Sequence, residues 1–263
     1  MRMNLPQLVA PAQPALRPRL LHAAMGLALA VAGSGCALSV EEEVLIDDRS
    51  AFSASKDAPC FTTTEGGEGA EILPVDLDAE RLGSSIGTIA SHDVSSLGLI
   101  DGALLSCTHD RGLEIIDLAS DKREQMSRSC DGIASDGTLI WVNSVPEQGL
   151  FEYQGLQALR DHKPSRTLPS AFASRLGLGE GRLLAAWHSA AEVLAVDLES
   201  GQATPVPLPG YDGWIFGLAE RGDQRFVLGG WVERGIRIYD RTSGALTDTL
   251  FADKFLQGLA CAR

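Results

Sequence analysis

Apolar and polar positions follow one phrase that returns five times along the chain. Its clearest copy, residues 223–240, reads DQRFVLGGWVERGIRIYD: an acidic turn, a short apolar run, a loop, and a second run that ends in Asp. The same order is found in EGRLLAAWHSAAEVLAVD (180–197) and DGALLSCTHDRGLEIID (101–117). Looser copies are DGTLIWVNSVPEQGLFEYQ (136–154) and DAPCFTTTEGGEGAEILPVD (57–76). The runs at 183–186, 226–228 and 139–142 are short, apolar and bounded by turn residues. Ile236 and Ile238, like Leu113 and Ile115, sit two apart, so the pattern predicts strands. Asp101-Gly102 and Asp136-Gly137 predict hairpin turns, because Gly accepts positive φ. A helical solenoid would need long amphipathic stretches, and none follows the N-terminal segment.

The residues that close the phrase, Asp76, Asp117, Gln154, Asp197 and Asp240, recur at a period of roughly 40 residues, the length of a propeller blade. Each period resolves into four strands. In the last complete one, strand a covers 214–219, b 225–230, c 235–239 and d 246–251. The strand-a core Gly217-Leu218-Ala219 recurs as Gly132-Ile133-Ala134 and again as Gly258-Leu259-Ala260. No strands b, c and d follow that last copy, but 59–65, 70–77 and 84–90 supply them at the other end. Closing the ring this way also removes the edges that would template aggregation. The Gly-Leu-Ala, Asp-Gly and strand-Asp-x-x-x-Gly phrases resemble those of WD-repeat and YVTN-type β-propellers over residues 57–263, although no blade carries a Trp-Asp dipeptide. The expected fold class is all-β: a β-propeller of five four-stranded blades, closed by pairing of the C-terminal strand with the N-terminal blade. An incomplete ring of six or seven blades is the alternative.

The first residues read differently. Arg17 and Arg19 precede the apolar run 20–32, and the small residues Gly33-Ser34-Gly35 lead to Cys36. That is a positively charged start, a short apolar core and a small-residue cleavage site, too short to span roughly 30 Å of hydrocarbon as a helix. Residues 33–36 resemble a bacterial lipobox, with Gly33 where Leu is usual. The resemblance implies a signal peptide at 1–35 and lipidation of Cys36; an ordinary secretory signal is the alternative. Ala37 after the Cys implies the outer membrane of a Gram-negative bacterium, facing the periplasm or the cell surface. Glu41-Glu42-Glu43 and Asp47-Asp48 make 36–56 an acidic, solvated tether. The formal charge of -13, from 22 Lys and Arg against 35 Asp and Glu, argues against nucleic acid, since phosphate binding needs clustered positive charge.

Cys60, Cys107, Cys130 and Cys261 remain, and four cysteines in an exported chain allow three pairings. The repeat frame puts Cys261 on strand a and Cys60 on strand b of the same reconstructed blade, close enough for a cross-strand bond. Such a bond encloses about 200 residues and stabilises the fold by about 4–5 kcal/mol in the chain-entropy model. Cys107, late on strand b, and Cys130, at the start of the next strand a, form the second candidate pair. Buried free thiols, packed as small hydrophobes, are the alternative.

Propeller relatives place function on the face that carries the b–c and d–a loops. The repeat brings Glu65, His109, Ser144, His188 and Trp231 to that rim from the b–c loops, and His92, Asp93, Asp212, Trp214, Asp253 and Lys254 from the d–a loops. His and acids on one face are chemistry that suits zinc or calcium, and lactonase-type propellers use such a ring. Here no His-x-x-x-His spacing occurs, so solvated loop residues are the plainer reading. No G-x-S-x-G elbow marks a nucleophile, and Gly66-Gly67-Glu68-Gly69 sits between two strands and so forms no phosphate cradle. The four Trp are expected mainly between blades. No catalytic residues and no cofactor are expected, a divalent metal being the one the rim would admit. The expectation is a monomeric, lipid-anchored binding or scaffold domain for a protein or small-molecule partner. The alternative is a metal-dependent hydrolase of lactonase type acting through His109, His188 and Glu65.

Overall fold

The computed structural model describes residues 60–169, 175–179, 181–187, 192–229 and 234–262. The expected signal peptide, Cys36, the acidic tether, His188 and Trp231 lie outside the described residues.

The fold is a β-propeller. Its first blade is made of β1 (Cys60–Glu65), β2 (Ala70–Asp76), β3 (Arg81–Leu82) and β4 (Gly87–Ile89). The next is β5 (Val94–Ile100), β6 (Ala103–Thr108), β7 (Gly112–Asp117) and β8 (Lys122–Met126). Then come β9 (Gly132–Ser135), β10 (Leu139–Ser144), β11 (Gly149–Gln154), the helix α1 (Gly155–Arg160) and β12 (Arg166–Pro169). The fourth antiparallel meander is β13 (Arg175–Gly179), β14 (Arg182–Ala186), β15 (Val193–Val196) and β16 (Ala203–Val206). The fifth is β17 (Ile215–Arg221), β18 (Gln224–Gly229), β19 (Ile236–Asp240) and β20 (Leu246–Leu250). The final strand β21 (Leu256–Cys261) returns to pair antiparallel with β1, with Cys60 opposite Cys261, Phe61 opposite Ala260 and Thr62 opposite Leu259. The inner strands β21, β5, β9, β13 and β17 touch one another in that cyclic order, and β17 touches β21 again.

The core lies between blades, and this explains the continuous apolar runs of the second strands. A strand covered on both faces has no polar side to show. On β18, Phe226 and Leu228 pack with Cys60, Val75 and Leu256 of the first blade, while Val227 packs with Leu184 and Val193 of the fourth. On β10, Ile140 and Val142 meet Leu105 and Leu113, while Trp141 meets Leu176 and Leu183. Phe61, Ile72, Val94 and Leu104 fill the space between the first two blades. The outer strands are polar instead: β8 reads KREQM and β20 LTDTL, each exposed except for its last residue. Charged, exposed residues on an edge discourage pairing with other chains.

Inner strands approach so closely that side chains cannot always separate them. Between β13 and β17 a single parallel pair, Leu178 with Ala219, joins two blades into one sheet. A Cβ at Gly177 would collide with the Leu218 carbonyl oxygen, so this position requires glycine. The Asp101-Gly102 turn matches its expectation, with positive φ at both residues (49° and 74°) between the paired Ile100 and Ala103.

Two local features depart from the repeat. The outer strand expected over 84–90 is present only as β4, and a separate short β3 precedes it, with Val75 opposite Leu82 but Ile72 opposite Gly87. The break falls opposite Pro74, whose ring nitrogen has no hydrogen to donate to the ladder. In the third blade the c–d reversal holds α1, whose Leu159 is buried against the core. Gln154 stands there in place of the Asp that nucleates the turn in other blades.

Candidate functional site

Every a–b and c–d connection emerges at one end of the ring, the turn face; the b–c and d–a connections emerge at the other, the loop face. The turn face is regular. Asp117 and Asp197 each accept backbone N–H bonds from the residues two and three positions on, and Asp76 and Asp240 from the residue three on. Ser200 and Ser243 add hydroxyl bonds to Asp197 and Asp240, and these bonds hold both carboxyls below the usual aspartate range. On the axis a cavity of about 550 Å³ opens between Gly98, Ser135, Leu178, Ala219 and Ala260. Beside it the buried Glu220 carboxylate binds Arg182 at 2.8 Å and Arg225 at 2.7 Å.

Each disulfide belongs to one face. Cys60–Cys261 lies at the turn face, where the chain enters and leaves the ring. Cys107–Cys130 lies at the loop face, tying the end of β6 to the approach to β9. Both expected pairings are present.

The loop face gathers some of the expected residues and scatters others. His109 Nδ1 lies 3.9 Å from Asp131 Oδ1 at the edge of a cleft of about 300 Å³. The cleft is lined by Thr108, Asp110, Arg111, Ser127 and Arg128 as well. Arg128 is buried against Phe151 and Tyr153 and bonds Tyr153 Oη and Glu147; burial pulls its pKa down. Asp93 faces Arg175 at 3.6 Å. Trp214, 47% exposed, stacks on Phe216 with ring centres 6.4 Å apart. Glu65, His92 and Asp212 are exposed. Ser144 is buried, and its hydroxyl accepts the Glu147 N–H, a turn-forming role. Of the Trp expected between blades, Trp141 is packed there, whereas Trp187 and Trp214 are exposed. Among the described residues, no three His, Cys, Asp or Glu side chains come together in an arrangement that could hold a metal ion.

Sequence reasoning missed the residue at the centre. Arg175 opens β13, and its guanidinium reaches Asp93, which precedes β5 in a blade that is not its neighbour; the contact therefore crosses the axis. Ser96 makes a second crossing by donating to the Leu176 carbonyl at 3.0 Å. By ladder register Arg175, opposite Ala186, stands where the other inner strands carry Ser96, Gly132, Gly217 and Gln257, opposite Cys107, Asn143, Leu228 and Thr63. Arg175 and Gln257 are the long side chains at this level, and Gln257 accepts the Val94 N–H. The guanidinium carbon sits 5.2 Å from the centre of the Phe216 ring, and Phe255 meets Phe216 edge-on at 5.5 Å. The signal was in the sequence: a charged residue at the start of the strand-a run RLGLG, where the other inner strands begin with apolar or small residues.

No protein-family model matches the chain, and no curated protein does. Among solved structures it is similar to a chain from the crystal structure of a nidogen/laminin complex, with 9% identity, a TM-score of 0.50, and coverage of 78% of this chain and 98% of that one. It is also similar to the glutaminyl cyclase of Myxococcus xanthus, with 18% identity, a TM-score of 0.46, and coverage of 64% of this chain and 70% of that one. At these identities the likeness concerns the fold alone.

Proposed function

We propose that the chain is a lipid-anchored, extracytoplasmic β-propeller of five blades that works as a binding or scaffold module and docks its partner on the loop face. The reading of residues 1–56 as signal peptide, lipidated Cys36 and tether supports export to the outer membrane, facing the periplasm or the cell surface. The observation that carries the docking face is Trp214: an exposed aromatic ring stacked on Phe216, which itself covers the buried Arg175. Trp and Arg over a rigid base are the residue types that dominate binding interfaces. The ring supplies the rigid base through its disulfides and strand closure.

A photo-cross-linking residue placed at 214 tests this, with the same residue at 121 on the turn face as control. Adducts from position 214 in the native envelope, absent from 121, are the expected result. Equal labelling from both faces would overturn the docking surface. Stoichiometric zinc or calcium in the purified protein would replace the reading by a metal-dependent hydrolase of the lactonase type.

A further inference from the structure

We propose that the loop-face end of the axis is a binding site for a carboxylate carried on an aromatic or arylalkyl group, with Arg175 as its anchor and Trp214, Phe216 and Phe255 as its apolar wall. The inference rests on the loop-face reading and names the ligand chemistry of that site.

Arg175 is 2% exposed, and its Nε and Nη1 have no hydrogen-bond partner. Three of the five guanidinium N–H groups sit on those two nitrogens. A buried donor left without an acceptor loses its hydration and gains nothing in return. Asp93 does not complete the set: it stands 3.6 Å from Nη2, longer than a hydrogen bond, and its side chain is 53% exposed. Burial lowers the Arg175 pKa to about 10, so the group remains cationic at neutral pH.

The missing partner is therefore an acceptor, and the fork geometry of guanidinium suits a carboxylate taken by two parallel bonds. The neighbouring acids decide the sign of the ligand only in part. Asp93 and Asp131 both lie within electrostatic reach of Arg175. Asp131 is already engaged, accepting the Val145 N–H at 2.7 Å and lying beside His109. Asp93 is the carboxylate that an incoming acid would displace toward solvent. Phe216 offers the other face of the guanidinium a ring, and Phe255 and Trp214 extend that wall outward. A ligand with a ring next to its carboxylate satisfies both parts of the site.

Two sources carry this chemistry, a small aromatic acid or a peptide that ends in an aromatic residue with a free carboxylate. Calorimetric titration of the purified chain with 3-phenylpropionate and with Gly-Gly-Phe separates them, and the corresponding amides serve as controls. The acid binds at least about tenfold more tightly than its amide, the worth of one charge-assisted hydrogen bond. Binding by one acid and not the other assigns the source. Arg175→Gln abolishes the difference between acid and amide, and Arg175→Lys restores part of it. Where Arg175→Gln does not fold, Asp93→Asn decides: removal of the competing carboxylate tightens acid binding, and unchanged or weaker binding overturns the proposal. Equal affinity for acid and amide, an acid response that survives Arg175→Gln, or no response to any probe also overturns it. Cross-linking confined to position 214 in the face of such a failure would leave the docking face standing without its anion.

Discussion

The two faces of the ring follow opposite rules. At the turn face Asp76, Asp117, Asp197 and Asp240 occupy the same place in four blades, and each accepts the backbone N–H of the residue three on. At the loop face the corresponding positions hold Glu65, His109 and Ser144, three residues of different chemistry. Even the charges differ in kind. Glu220 at the turn face is buried and fully engaged by two guanidinium groups, whereas Arg175 at the loop face is buried with most of its donors idle. Where most blades repeat a residue, the repeat serves the fold. Where one blade departs from its siblings, the departure has to be explained by something other than the fold.

The disulfides sharpen this contrast most strongly. Cys60–Cys261 spans 201 residues and Cys107–Cys130 spans 23. In the chain-entropy model the first contributes about 5 kcal/mol and the second about 3 kcal/mol. Replacing Cys60 and Cys261 together by Ser is expected to lower the denaturant midpoint more than replacing Cys107 and Cys130. A larger loss from the loop-face pair would show that the ring does not depend on its turn-face clasp.

Glu220→Gln comes next. It leaves Arg225, 3% exposed, and Arg182 without their shared carboxylate, and breaking a buried pair from one side costs about 3 kcal/mol. Urea unfolding measures the loss; a value under about 1 kcal/mol would mean that the triad is solvated in solution.

The smallest effect concerns acid. Asp197 and Asp240 are held below the ordinary aspartate value by Ser200 and Ser243. A carboxyl with a depressed folded pKa contributes stability above its unfolded pKa, about 3.9, and that contribution is lost as pH falls through the folded value. Asp197→Asn with Asp240→Asn therefore flattens the fall of the melting temperature with acidification below about pH 4, and leaves its slope near neutrality unchanged. Both groups are fully exposed, so the change is small. A double variant that loses melting temperature as steeply as the parent would remove these turns from the acid response.

Much of the fold was legible because the repeat states it many times. The strand limits expected for the fifth blade lie within a residue of β17 through β20 at most ends, and the return of β21 to β1 follows from counting strands. The exceptions each have a local cause. Pro74 splits an outer strand through the hydrogen it lacks, and Gln154 gives up the Asx turn to a short helix whose only strong signal is the buried Leu159. The site was less legible. Which inner-strand residue meets the axis depends on register, and register shifts between Val94 and Ser96, between Ile215 and Gly217, and between Thr62 and Thr63. A shift of one residue turns a side chain to the other face of its strand. Phe216, the residue inserted at one of these shifts, therefore could not be placed by counting from a turn.

The pairing of Cys60 with Cys261 has one further consequence. The chain enters and leaves the ring within one cross-strand pair at the turn-face rim, so the rim that carries Trp214 and Arg175 is left clear of both ends of the described fold.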